Sequence, residues 1–228
     1  QIAVPFDVPE VTALKTEDLG ELGLEDSQDS AVITGKDFTV TFDKAAGTIK
    51  DFTYKGKKLL ENGPQPDFWR APTDSDLGFY SGARYDTWRY AGEDKAVSGV
   101  TVKKINNGMV EISVDSVLPT TTKSSYSQKF TIYGTGDIKV TSKLTPGEGL
   151  PEIPVVGNSL TLPKEFSNVT WYGKGPDENY IDRQSGYEIG VYKKDVDDFF
   201  IDYIKPQETG NRTETRWVSM TNSDGTGL

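Results

Sequence analysis

The chain has 228 residues with 25 basic against 35 acidic side chains, a net charge of −10, and neither cysteine nor histidine. The acidic balance argues against a surface built for nucleic acid or for an anionic membrane, and the missing Cys and His exclude disulfides, thiolate chemistry and the usual zinc ligand sets. No run approaches the roughly 18 consecutive apolar residues of a membrane-spanning helix, and the length suits one large all-β domain, or one domain with pieces of its neighbours, with a real core.

In chain order, Ile2-Ala3-Val4-Pro5-Phe6-Asp7-Val8-Pro9 alternates apolar with other residues and closes on proline, the pattern of a terminal strand. Glu17 to Ser30 reads as an acidic, glycine-punctuated connector, because Glu17, Asp18, Glu21, Glu25, Asp26 and Asp29 have no offsetting base. From Ala31 the pattern is β. Phe38, Val40 and Phe42 alternate with Thr39 and Thr41, Asp43 to Gly47 turns, and Ile49, Phe52 and Tyr54 lead through Lys55-Gly56-Lys57 to Leu59-Leu60. These predict a meander of short antiparallel strands.

Pro66-Asp67-Phe68-Trp69-Arg70-Ala71-Pro72-Thr73-Asp74-Ser75-Asp76-Leu77-Gly78 has neither helical nor strand periodicity and predicts an ordered loop. Phe68 and Trp69 would anchor it in a core, Pro72 would stiffen it, Asp74 and Asp76 would accept backbone N–H groups, and Arg70 would brace a carboxylate bidentately. Ala83 to Gly92 predicts the one notable helix, with Tyr85 and Trp88 on one face and Gly92 just past its end.

Val100–Ile105, Asn106-Asn107-Gly108 and Met109–Val117 form the clearest hairpin, with Val110, Ile112 and Val114 facing a core. Tyr126–Tyr133, the Gly134-Thr135-Gly136 turn and Ile138–Leu144 repeat the arrangement, and Val155–Leu162 and Val169–Tyr172 continue it around a proline-rich loop at Pro146–Pro154. Strands at this spacing predict an antiparallel β-sandwich. Gly173-Lys174-Gly175 reads as a tight backbone turn ahead of Asp177-Glu178-Asn179-Tyr180, not as a phosphate cradle, since its lysine lies between the glycines and proline follows. Ile204 to Arg212 is a polar, jointed loop and the expected place of ligand contact, with Arg216 and Trp217 on the strand after it. The chain closes on a turn signal, Asn222 to Leu228, where a β-protein would start its next strand, so it reads as a piece of a longer polypeptide.

Two blocks carry a resemblance. Phe68-Trp69-Arg70-Ala71-Pro72-Thr73-Asp74-Ser75-Asp76-Leu77-Gly78 resembles the signature opening the C-terminal domain of bacterial β-galactosidases of glycoside hydrolase family 2, with Ser75 where asparagine is usual. Trp171-Tyr172-Gly173-Lys174-Gly175-Pro176-Asp177-Glu178-Asn179-Tyr180-Ile181-Asp182-Arg183 resembles that domain's second motif. The resemblance implies a large galactose-mutarotase-like sandwich from residue 31 to 228, lacking its last strands, with residues 1–30 ending an upstream immunoglobulin-like module and linking to it. It further implies a non-catalytic role beside the (α/β)8 barrel of a retaining enzyme that hydrolyses terminal non-reducing β-D-galactose residues. The galactoside would reach this domain through the barrel, and any Mg or Na ion would bind outside this chain. Lys205-Pro206-Gln207-Glu208-Thr209-Gly210 is similar to the family's mobile loop beside the active site; Glu208 and Gly210 carry over, and Thr209 stands where asparagine is usual. The source would be a bacterium, in its cytoplasm or periplasm.

A retaining glycosidase needs two carboxyls about 5.5 Å apart. The acidic pairs inside distinctive motifs, Asp74 with Asp76 and Asp177 with Glu178, suit turn formation better than catalysis, so no catalytic residue is assigned. Asp74-x-Asp76 opens like a calcium loop but has Phe79 where glycine and Tyr85 where the bidentate glutamate belong, so no metal residue is assigned either. An aldose epimerase would need histidines for proton transfer and is excluded. The alternatives are a free-standing carbohydrate-binding module, which would expose Trp69, Trp171 or Trp217 on a ledge, and a purely structural sandwich.

Overall fold

The computed structural model describes residues 19–78 and 81–228, so the predicted strand at Ile2–Pro9 lies outside the described residues. The described residues are mostly β, with antiparallel ladders and only short helices, and they divide into two compact units: 19–70 with 76–162, and 71–75 with 163–228.

In the first unit, β1 (Gly23–Asp26), β2 (Ser30–Thr34), β3 (Phe38–Asp43), β4 (Thr48–Tyr54) and β5 (Lys57–Leu60) pair in sequence order as a five-stranded meander. The predicted alternation holds: Phe38, Val40 and Phe42 are buried, and Val40 lies opposite both Ile33 and Phe52. Gly47 turns the chain at φ 63°, donating its N–H to the Asp43 carbonyl at 2.9 Å. Gly23–Asp26, read from sequence as connector, is instead an edge strand on β2, since an exposed edge tolerates its acidic side chains.

The chain continues through β6 (Asn62–Asp67), α1 (Asp74–Gly78), α2 (Ser81–Arg89), β7 (Ala96–Asn106), β8 (Met109–Leu118), β9 (Ser124–Tyr133), β10 (Ile138–Thr145) and β11 (Gly157–Thr161). The long strands form a four-stranded sheet, β10-β9-β8-β7, with Val110, Ile112, Val114, Phe130 and Ile132 buried. Phe42 of β3 meets Phe130 of β9 edge-on at 5.1 Å between ring centroids, so the two sheets pack face to face in a sandwich-like arrangement. Burying each such ring stabilises by about 2–3 kcal/mol.

Among the described residues β6 pairs with β11 in a two-stranded ladder, an edge that tolerates its two prolines. Phe68, Trp88, Ala91, Leu118 and Tyr126 build a second core, in which Trp88 Nε1 donates to the Pro151 carbonyl at 3.1 Å. The predicted helix is therefore held by Trp88. The Pro66–Gly78 stretch differs from a continuous loop, because its first two residues end β6 and its last five form α1.

In the second unit, β12 (Asn168–Gly175) lies between β13 (Glu188–Asp195) and β14 (Trp217–Thr221). The predicted turn at Gly173–Gly175 is instead the end of β12, which pairs with β13 as far as Gly175. Glycine is required there for approach and not for turning: a Cβ on Gly173 would lie 2.8 Å from the Thr215 Cα.

Candidate functional site

The site grows from the point where β12 leaves its sheet. Trp171 anchors the strand, with its ring buried between Tyr192 at 5.5 Å and Phe199 at 5.3 Å and its Nε1 donating to the Lys174 carbonyl at 3.1 Å. Beyond Pro176 the chain brings in Glu178, whose side chain is 5% exposed. One carboxylate oxygen, Oε1, accepts hydrogen bonds from the Arg183 guanidinium and the Tyr203 hydroxyl. The other, Oε2, accepts the backbone N–H of Gly210 at 2.7 Å. Burial would push the Glu178 pKa up, but Tyr203, the Gly210 amide and Arg183 together hold it below the ordinary carboxyl value. Glu178 is thus an ionised anchor with both oxygens engaged, unsuited to act as a general acid.

Asn179, wholly buried, does the same work with neutral groups. Its Oδ1 accepts the Thr213 N–H at 2.7 Å, its Nδ2 donates to the Asp177 carbonyl at 2.9 Å, and its backbone N–H donates to the Asn211 carbonyl at 2.9 Å. Asn211 returns a bond from its Nδ2 to the Asn179 carbonyl at 2.7 Å. The 208–213 segment is therefore stitched to the second motif at Gly210, Asn211 and Thr213.

The first motif reaches the same loop. Pro72 accepts the Glu208 N–H at 3.2 Å, Gln207 Oε1 accepts the Asp74 N–H at 3.1 Å, and Lys205 forms an ion pair with Asp74. Thr209 Oγ1 accepts the Ile201 N–H at 2.9 Å. Gly210 has φ 85°, which only glycine adopts without strain.

The remaining predicted residues fall elsewhere. Phe68 lies in the aromatic core of the first unit, where Arg70 Nη1 also meets Asp76 Oδ2 at 2.6 Å. Gly173 permits close passage of Thr215, and Asp182 is exposed. Tyr180 is half-buried; burial, then the negative charges of Glu178 and Glu208, push its hydroxyl up to about 12. Sequence reasoning missed Tyr203 and Thr213, and it placed Arg212 at the end of the polar loop without giving it a role. The Arg212 guanidinium lies 5.2 Å from the Trp171 ring and 4.7 Å from that of Phe199, with its Nε buried and without a hydrogen-bond partner. Desolvation by burial lowers its pKa. Trp171 is buried and Trp69 half-buried beneath Arg89, whereas Trp217 is exposed beside Tyr172, their ring centroids 6.3 Å apart.

The family model described as the β-galactosidase small chain matches residues 34–227. The chain is 39% identical over 207 residues to a β-galactosidase of Priestia megaterium, covering 91% of this chain and 20% of that protein. It is 33% identical over 199 residues to one from Halalkalibacterium halodurans, covering 86% and 20%, and 32% identical over 206 residues to one from Lactobacillus delbrueckii subsp. bulgaricus, covering 90% and 20%. The chain spans about a fifth of the length of these curated relatives.

Proposed function

The chain belongs to the β-galactosidase small-chain family, and on that premise we propose that it is a non-catalytic C-terminal domain of a β-galactosidase, with the loop at 205–213 forming one wall of the sugar cleft. The parent enzyme would hydrolyse terminal non-reducing β-D-galactose residues with its own carboxylates, and this domain would contact the barrel and the immunoglobulin-like module. One observation supports this reading above the others: the two signature motifs, about a hundred positions apart, send Pro72, Asp74, Glu178 and Asn179 to hold the same loop, the one that carries Glu208 and Gly210. Such expense of order suits a loop that must keep its shape beside a ligand.

The test is hydrolysis of a chromogenic β-galactoside. The chain alone should be inert, and the parent carrying Glu208→Ala should show a raised KM. Turnover by the chain alone, or a Glu208→Ala parent with unchanged KM and kcat, would overturn the reading. A free-standing carbohydrate-binding module is favoured by one observation, the exposed Tyr172–Trp217 pair; that reading requires Trp217→Ala to abolish retention of the chain on an insoluble polysaccharide.

A further inference from the structure

The first unit holds a cavity of about 470 Å³, inside the roughly 300–1,000 Å³ range of small-molecule sites. Four charged side chains line it, Asp67, Glu93, Arg89 and Lys95, together with Gln65 and Ser159. Asp67 and Lys95 are partly buried, whereas Glu93 is exposed and the exposed Arg89 guanidinium lies over the Trp69 and Tyr90 rings; among the described residues none of the four forms an ion pair. The Lys95 ammonium is half-buried and its hydrogen bond goes to the neutral Gln65 Oε1. Among the described residues, the Asp67 carboxylate accepts the backbone N–H of Trp69, at 3.1 Å. Withdrawing an ammonium from water without a counter-ion is costly, and desolvation lowers the Lys95 pKa accordingly.

The floor is rigid. Gly92 lies so hard against β6 that a Cβ there would sit 1.9 Å from the Pro66 carbonyl oxygen. On the β11 side the ladder is irregular between Ser159 and Thr161.

We propose that this cavity binds a small neutral polyol, of monosaccharide to disaccharide size, whose hydroxyls accept from Lys95 and Arg89 and donate to Asp67 and Glu93. A hydroxyl both donates and accepts, so adjacent hydroxyls can bridge cations and carboxylates that are not paired with each other. The four charges sum to zero, which disfavours a simple anion, since the two carboxylates would oppose it. The inference does not rest on the β-galactosidase reading, because it uses no residue of the 205–213 loop.

The test is calorimetric titration of the 228-residue protein with glucose, methyl β-D-galactoside and sorbitol, with acetate and glycine as charged comparators. Saturable binding of at least one polyol is expected, weakened tenfold or more by Lys95→Met and by the milder Ser159→Ala together with Asp67→Asn. Each variant is checked for native β-sheet circular dichroism; should Lys95→Met fail to fold, the Ser159→Ala, Asp67→Asn protein decides. No saturable heat with any polyol overturns the proposal. So does polyol binding indifferent to the cavity substitutions, or binding of acetate or glycine alone.

Discussion

Gly210 donates its backbone N–H to the buried carboxylate of Glu178 at 2.7 Å, from 32 positions further along the chain. A loop that would otherwise be held by neighbours in sequence is held by a charge at the end of a central strand. The arrangement ties loop shape to sheet integrity, and several outcomes follow from it.

Replacing Glu178 with alanine removes three acceptor contacts and leaves the Arg183 charge without its partner. The expected loss is about 3 kcal/mol, the low end for a broken buried pair because the Arg183 side chain is nearly half exposed. Urea denaturation measures it; an unchanged midpoint would mean the cluster contributes nothing to stability. Limited proteolysis should then cut at Lys205 or Arg212 before any site in the strands.

Acid should erase the difference between wild type and Glu178→Gln. The folded pKa of Glu178 lies below its ordinary value near 4.5, so its contribution is complete above that value and disappears as pH falls through the depressed folded pKa. Unfolding free energies of the two proteins, measured between pH 7 and pH 3, should converge at the acidic end. A gap that widened toward pH 3 would reverse the sign of the argument.

Asn179→Asp keeps the shape and changes the chemistry. The aspartate can still accept from Thr213, but it replaces the donor that meets the Asp177 carbonyl with a second acceptor, in a site with no exposure. A loss of about 2–3 kcal/mol at neutral pH is expected from the unsatisfied buried groups. Thermal unfolding by calorimetry would detect it, and equal stability of the two proteins would contradict the assigned Asn179 orientation.

Two glycines offer a matched pair. Gly173→Ala drives a methyl to 2.8 Å from the Thr215 Cα and 3.1 Å from the Glu214 carbonyl oxygen, where backbone cannot yield, and should cost about 1–3 kcal/mol. Gly186→Ala meets nothing within 4 Å and should be neutral or gain up to about 1 kcal/mol by restricting the unfolded chain. The melting temperature of Gly173→Ala should fall below the wild-type value and that of Gly186→Ala should equal or exceed it.

Legibility in the sequence followed locality. The alternation at Phe38, Val40 and Phe42 and the Asn106-Asn107-Gly108 turn declare themselves within a few residues, and both appear where expected. β6 hides because its ladder tolerates Pro64 and Pro66, residues that ordinarily argue against a strand. The β1 strand hides because an edge does not need apolar residues on both faces. Glu178, Asn179 and Gly210 are each visible as motif residues, but nothing local says that Glu178 holds Gly210 or that Asn179 holds Thr213, since those contacts span more than thirty positions. Tyr203, Thr213 and Arg212 carry no motif. Their roles come from where the loop passes, which is a tertiary fact.

The Arg212 guanidinium, 5.2 Å from the Trp171 ring, makes that ring an optical probe of the loop. Trp171 sits in the sheet and its cation arrives from the loop, so a displacement of the loop exchanges the charge over the indole for another environment. Steady-state tryptophan emission would register this without a label, and the signal missing from an Arg212→Leu protein would be the part that belongs to Trp171. The molecule thus carries its own chromophore at the junction between what is fixed and what is shaped around it.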